Sequence, residues 1–266
     1  MTTDQLDPEV IEKLRQVSTS TLATQLYRRG FRQPSLIGVK PLSTVVDGFV
    51  GEAYTMRFIP AREDVDTLDP YRSGNTLQWE SIENVPPGHV IVVDSRGDAS
   101  AASGGDMLMT RAMKRGAAGF VTDGGLRDGH VLSQLPFATY ASQVTITTRA
   151  AWHHVADLQV PISCAGVAVY PGDVLVGDRD GVVVVPRAWA GELAGPALEQ
   201  ERREAYLHTR IQAGEALWGV YPPSERTLAD YANYRAAAGE QGGQGGGAGG
   251  AAPDRGGDAQ ATSGAR

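Results

Sequence analysis

The chain is poor in the residue types that most narrow a protein's chemistry. Cys164 is its single cysteine, which excludes an intrachain disulfide and a thiolate metal cluster and makes a cytosolic home the expectation. It sits in the apolar run Val160-Pro-Ile-Ser-Cys-Ala-Gly-Val-Ala-Val169, where a small buried hydrophobe is expected rather than a nucleophile. Basic charge is short as well: 24 Lys and Arg face 31 Asp and Glu, a formal net charge of -7. The cations are scattered, so no nucleic-acid partner is expected. No apolar stretch reaches bilayer length, and Met1-Thr-Thr-Asp-Gln-Leu-Asp-Pro8 lacks the charged and apolar regions of a secretory leader. A soluble, cytoplasmic protein without a membrane partner is therefore expected.

Glycine is the opposite case, with 33 residues. Part of it collects in Gly239-Glu-Gln-Gly-Gly-Gln-Gly-Gly-Gly and the Gly/Ala tail beyond, which cannot bury enough apolar surface to order itself. The expected organisation is one domain with helical extensions over residues 1–237 and a disordered tail over 238–266. The foldable part, about 235 residues, suffices for one core.

Periodicity places the elements. Val10, Ile11, Leu14 and Val17 recur at helical spacing behind Pro8, and a second helix runs from Ser18–Ser20 through Tyr27 to Gly30. Strands are expected at Val45-Val46, 49–58, 137–141, 144–148 and 162–170, with a hairpin over 174–185 turning at Gly177–Gly181. Helices are expected at 77–85 and 189–213, the latter carrying Glu199, Glu201 and Glu204. In the segment 61–81, Asp64, Asp66 and Asp69 alternate, but the glycine and terminal glutamate of a calcium loop are missing. A solvated acidic loop bordering a cleft is the expectation there. Neighbouring side chains in a helix or strand point apart, so His153-His154 reads as ordinary surface or loop histidines, and His130 as a turn histidine.

The most informative stretch is central. Gly88-His-Val-Ile-Val-Val-Asp94 reads as a buried strand, and Asp106-Met-Leu-Met-Thr-Arg-Ala-Met-Lys-Arg115 as a helix stopped by Gly116. Ala117-Ala-Gly-Phe-Val-Thr122 reads as a second strand, after which Asp123-Gly-Gly125 turns the chain into Leu126-Arg-Asp128. In a parallel strand-helix-strand unit, the helix start and the second strand's end share one sheet edge. Asp106, Arg127 and Asp128 should then face one cleft. Asp128 suits a hard cation such as Mg2+ or Mn2+, Arg127 a carboxylate or keto oxygen, and the helix-start amides an anion. That combination points to a small 2-oxo acid.

The stretch from Gly104 to Asp128 resembles the shared signature of the RraA-like family, which holds regulators of ribonuclease activity and class II 4-hydroxy-4-methyl-2-oxoglutarate aldolases. Ser18-Thr-Ser-Thr-Leu-Ala, Gly51-Glu-Ala-Tyr-Thr and Gly172-Asp-Val-Leu-Val-Gly-Asp through Pro186 extend the similarity over roughly residues 15 to 220. The resemblance implies an α/β protein with a β/β/α swivelling fold and N- and C-terminal helices, assembled as homotrimers or homohexamers. It implies metal binding by Asp128, and substrate contact and enolate support by Arg127. The amides of Gly105, Asp106, Met107 and Leu108 would hold the pyruvyl carboxylate, and Asp106 would arrange waters. An acidic residue from a neighbouring subunit's C-terminal helix is expected too, with Glu204 the nearest match and Glu201 the other candidate. The insertion near Ala61 to Tyr71 and the tail depart from the compact family pattern. Phosphohistidine domains share this fold, but here the helix start reads Asp106-Met-Leu-Met and carries no histidine. The leading expectation is a Mg2+- or Mn2+-dependent carbon-carbon lyase on a 2-oxo acid, by retro-aldol release of pyruvate or oxaloacetate-type decarboxylation. The alternatives are a non-catalytic protein that binds a ribonuclease and another lyase or hydratase on the same scaffold.

Overall fold

A computed structural model of the chain describes residues 6–67, 69 and 76–242. Two compact units divide it, Met1–Glu204 and Ala205–Arg266. Helices α1 (Pro8–Leu14) and α2 (Thr19–Arg28) lead into strands β1 (Lys40–Pro41) and β2 (Phe49–Pro60). Then come α3 (Leu77–Asn84), β3 (His89–Asp94), α4 (Asp106–Lys114), β4 (Gly119–Thr122) and β5 (Gly125–Leu126). After α5 (Gly129–Gln134), β6 (Ala138–Ala141), β7 (Gln143–Val144) and a 3-10 turn at Arg149–Ala151, the chain is β-rich. It forms β8 (His153–Leu158), β9 (Ile162–Cys164), β10 (Val167–Val169), β11 (Val174–Gly177) and β12 (Val182–Val185), and then the long helix α6 (Arg187–Gln212). Each early helix starts on a side-chain cap: Asp7 accepts from the Glu9 amide, Ser18 from Thr21 and Thr76 from Trp79.

The main sheet runs β1-β6-β4-β3-β2-β11-β12, with β8 also paired to β2. Its centre, β2 to β3 to β4 to β6, is parallel, so the expected crossover of α4 between two parallel strands is present. Strand β2 serves as the spine: one edge takes β3, and the other takes β11 along its first half and β8 along its second. Burial on both faces explains why β3 is an unbroken apolar run. Ile91 and Val93 pack with Met109 and Ala112 of α4, Ile82 of α3 and Leu132 of α5, whereas Val90 and Val92 pack with Ile162, Cys164, Val167 and Val169 of the β9–β10 hairpin. Hairpin, sheet and helices are the three layers of a mixed β/β/α arrangement. At the far end, Leu14, Leu22 and Leu26 of the first two helices and Leu193 and Ala197 of α6 cover Val50, Val174 and Val183. Each such aliphatic burial contributes on the order of 1.5–3 kcal/mol.

In the second unit, helix α7 (Glu225–Gly242) follows the end of α6. Tyr206 stacks near Tyr231 and Tyr234, with centroids 5.5 and 4.9 Å away, and Arg210 reaches Glu215 and Asp230. The end of α7 carries helix to Gly242, and the remaining tail lies outside the described residues, as do 70–75 of the acidic segment. No described helix is long and apolar enough to cross a membrane.

Several expectations change. Val45-Val46 forms no strand, the 144–148 strand shrinks to β7, and 162–170 breaks at Ala165 and Gly166, both in the left-handed region with φ of 48° and 78°. His130 lies within α5 rather than in a turn. The larger correction concerns His153, which is not a surface or loop residue: it begins β8, is fully buried and lies against Phe58, with ring centroids 5.4 Å apart. Adjacent side chains do diverge here, and His154 stays partly exposed. Arg96 Nη2 donates to His153 Nδ1 (3.0 Å), and His153 Nε2 donates to the Ala101 carbonyl (3.2 Å). One partner can only donate and the other only accept, so the ring is neutral with its proton on Nε2.

Desolvation lowers the His153 pKa from its ordinary 6.5, with Arg96 and Arg149 adding to that against the bond to Ala101 and the charge of Asp98. The unfolded chain therefore binds a proton that the folded one refuses below pH 6.5, and stability falls as pH drops through that region. The slope should approach about 1.4 kcal/mol per pH unit at most. Urea melts between pH 7.5 and 5 should show this loss in the wild type and a flatter profile in His153→Gln; equal slopes would remove His153 as the cause.

Candidate active site

The site begins with backbone stitching. The Ser103 amide donates to the Gly125 carbonyl (2.7 Å), and the Arg127 amide donates to the Gly104 carbonyl (2.9 Å). The loop before α4 is thereby zipped to the segment after β4. Side chains hold the same loop from behind: buried Asp123 accepts from the amides of Ser95, Gly97 and Ala165, and Asp94 from those of Arg96 and Ser163. Burial raises the Asp123 pKa against these three amide bonds, with the Asp94 charge adding to the rise. Ser95, Ser103 and Thr122 close a hydroxyl triangle with distances of 2.7 to 3.1 Å. Loops so satisfied hold a site in place before a ligand arrives.

Asp106, Arg127 and Asp128 come together as expected, lining one cleft of about 120 Å3 with Gly105, Met107 and Leu108. The Asp106 amide donates to Asp128 Oδ2 (3.2 Å), and the Met107 amide to Asp106 Oδ1 (2.7 Å). Two of the four amides expected to hold a substrate carboxylate thus hold side-chain carboxylates of the chain itself, favourable partners for a helix start. Arg127 Nε stands 3.9 Å from Asp128 Oδ1, with both side chains partly exposed. That spacing is too long for a hydrogen bond, so the pair is loose and worth at most about 1 kcal/mol. Asp128 itself is left-handed, at φ 60° and ψ 36°, and precedes α5. Gly105 makes room for it: a Cβ on Gly105 would meet Asp128 Oδ2 at 2.5 Å.

Among the described residues no group of three or more His, Cys, Asp or Glu could hold an ion. In the described part of the acidic 61–81 segment, Asp64 pairs with Arg62, and Asp66 with His154. The Asp128 carboxylate, seated against Gly105 with Asp106 beside it, offers one or two hard oxygens on an open cleft. Mg2+ fits such a donor set, since it keeps most of its waters.

Glu204 and Glu201 lie on α6 and do not line the cleft of their own chain. Gln200 Nε2 donates to Glu204 (2.8 Å), and Glu201 accepts from the Ser18 amide and hydroxyl at the start of α2. Sequence reasoning missed Gln78, Thr148 and Arg149, which also line the cleft. Arg149 Nε donates to Gln78 Oε1 (3.1 Å), and its Nη1 to the His153 carbonyl (2.6 Å). Nothing in the Thr147-Thr148-Arg149 pattern separates this arginine from a surface one; only the turn into β8 brings it in.

Comparison with known proteins gives the family and the fold. The family model described as RraA-like, Aldolase/RraA, matches residues 19–184. A protein of Halalkalibacterium halodurans, provisionally named a 4-hydroxy-4-methyl-2-oxoglutarate aldolase, is 36% identical over 182 residues, 65% of this chain and 85% of its own. Among solved structures, Streptomyces coelicolor RraAS2, described as an unusual member of the RNase ES inhibitor RraA family, superposes with a TM-score of 0.70 at 32% identity. The match covers 77% of this chain and all of that one. A Pseudomonas syringae structure at 24% identity also gives a TM-score of 0.70, over 81% of this chain and 98% of its own, and supports the fold.

Gly105→Ala tests the cradle. Gly105 has φ of -153°, which any residue adopts, so the added methyl should cost less than about 1 kcal/mol of stability while pushing the Asp128 carboxylate aside. Titration with Mn2+ should show affinity weakened about tenfold or more at a nearly unchanged melting temperature. Unaltered Mn2+ binding would remove Asp128 as the metal ligand.

Proposed function

Because this chain belongs to the RraA-like family, we propose that its cleft is that of a metal-dependent carbon-carbon lyase acting on a 2-oxo acid. The observation that carries this reading is the convergence of Arg127, Asp128 and Asp106 on a helix start that already binds carboxylate oxygens. A Mg2+ or Mn2+ held by Asp128, with Asp106 ordering its waters, would supply Lewis-acid polarisation of the keto oxygen. The chain's own groups do the rest. The amides from Gly105 to Leu108 seat the C1 carboxylate, and Arg127 faces the keto oxygen as it gains charge. In a retro-aldol reaction the C3–C4 bond breaks, its electrons form the pyruvate enolate, and the C4 hydroxyl loses its proton through a water held by Asp106. Protonation at C3 then gives pyruvate. Decarboxylation of an oxaloacetate-like acid uses the same enolate.

The reading includes a homotrimer or homohexamer in which α6 of one subunit brings Glu204 to the cleft of the next. A second reading, regulation of a ribonuclease by direct contact, is favoured by the likeness to RraAS2. Metal-dependent pyruvate release separates the two.

Pyruvate release from 4-hydroxy-2-oxo acids or oxaloacetate should vanish in EDTA and return with Mg2+ or Mn2+; full activity in chelator would defeat the metal mechanism. Arg127→Lys should lower the rate by roughly a hundredfold at unchanged melting temperature, because Lys keeps the charge but loses the planar fork. Wild-type turnover in that variant would remove Arg127 from the mechanism, whereas no metal-dependent pyruvate release together with tight binding to a ribonuclease would transfer the case to the regulator. Mixing inactive Asp128→Asn with inactive Glu204→Ala protein should regenerate activity once subunits exchange. No recovery after demonstrated exchange would exclude Glu204.

A further inference from the structure

The cleft of about 120 Å3 is small beside the roughly 300–1,000 Å3 of ordinary small-molecule sites. It has room for a pyruvyl head and little for the half of the substrate beyond the breaking bond. Arg149 borders this cleft and also a second cavity of about 300 Å3. Gln78 and Leu77, adjacent on α3, line one cavity each. The two spaces therefore share Arg149 as a lining residue, with Leu77 and Gln78 side by side between them in the chain.

The second cavity has a defined chemistry. Val65, Leu77 and Ala156 give it apolar walls, and Asp66, Thr67 and His154 are among its polar groups. Asp66 is fixed from two sides: His154 Nδ1 donates to Oδ1 (2.7 Å) and the Arg62 amide donates to Oδ2 (2.9 Å). Its side chain is only 11% exposed, so an arriving carboxylate would meet a fixed like charge in a poorly solvated place. With Nδ1 committed to Asp66, His154 keeps Nε2, an acceptor in the neutral ring. The Thr67 hydroxyl can both donate and accept. Among the described residues, His154 and Thr67 suit hydroxyl groups on a carbon chain, and Asp66 beside them disfavours an anion at that end of the cavity, away from Arg149. Arg149 at the boundary directs N–H groups to Gln78 and to the His153 carbonyl, so its orientation is set by the protein.

We propose that this cavity is the distal subsite of the lyase and takes an uncharged, hydroxylated arm. The preferred substrates are then 3-deoxy-2-oxo sugar acids, cleaved to pyruvate and a hydroxylated aldehyde, rather than 2-oxo dicarboxylates. The proposal rests on the lyase reading above. It also gives the acidic insertion a purpose, since Asp66 comes from it.

Calorimetric binding in Mg2+ tests this without turnover. The probes are 6-hydroxy-2-oxohexanoate and 2-oxoadipate, which differ only in a terminal hydroxymethyl or carboxylate and lack the C4 hydroxyl that retro-aldol cleavage needs; pyruvate is the head-only control. The wild type should bind the hydroxy acid about tenfold more tightly than the dicarboxylate, the scale of one hydrogen bond gained or one like charge avoided. His154→Leu should reduce that preference below about threefold. Ala156→Phe, which fills the cavity, should weaken both six-carbon probes about tenfold and leave pyruvate unchanged. Tighter binding of 2-oxoadipate, or six-carbon binding indifferent to both variants, would overturn the proposal while leaving the lyase reading standing. Failure of all three probes, pyruvate included, would defeat the lyase reading and this one with it.

Discussion

Two backbone hydrogen bonds govern this molecule's chemistry. Ser103 to Gly125 and Arg127 to Gly104 join a loop that precedes a helix to a segment that follows a strand. Without them the side chains of Asp106 and Asp128 would belong to separate surface loops. The bonds can form because β3 and β4 are parallel, so the C-terminal ends of both strands and the N-terminal end of α4 reach the same sheet edge. Everything behind the loop supports that junction: the amide-satisfied carboxylates of Asp94 and Asp123, the hydroxyl triangle, and the neutral His153 bonded to Ala101. Each of these contacts satisfies a polar group of the loop, and together they hold the junction in place.

Much of this was legible in the sequence, for physical reasons that differ from element to element. The run His89–Asp94 announced a strand buried on both faces, and the Val174–Val185 hairpin was marked by apolar runs around a glycine turn. The grouping of Asp106, Arg127 and Asp128 followed from topology alone, since a crossover fixes where helix starts and strand ends must meet. What the sequence hid depends on contacts far apart in the chain. Strand β8 was missed because His153-His154-Val-Ala-Asp-Leu158 has no clean alternation; only pairing with β2 across a bulge between Arg57 and Phe58 makes it a strand. Arg149 was invisible for the same reason. Asp66 could be read as part of an acidic segment, but its bond to His154 spans 88 residues, a distance over which local pattern carries no information.

Asp128 occupies a conformation that L residues other than asparagine, aspartate and histidine seldom adopt, at φ 60°. Holding a side chain there costs on the order of 1 kcal/mol that glycine would not incur. Stability and chemistry therefore pull in opposite directions at one backbone position. A lineage selected for a sturdier scaffold alone would drift toward glycine at 128, keeping every strand and the zipped loop while losing the carboxylate seated against Gly105. Under the proposed lyase reading, the carboxylate at this strained corner is what the chain gains for that cost, and a relative with glycine there and the same architecture would keep the shape without the proposed metal ligand.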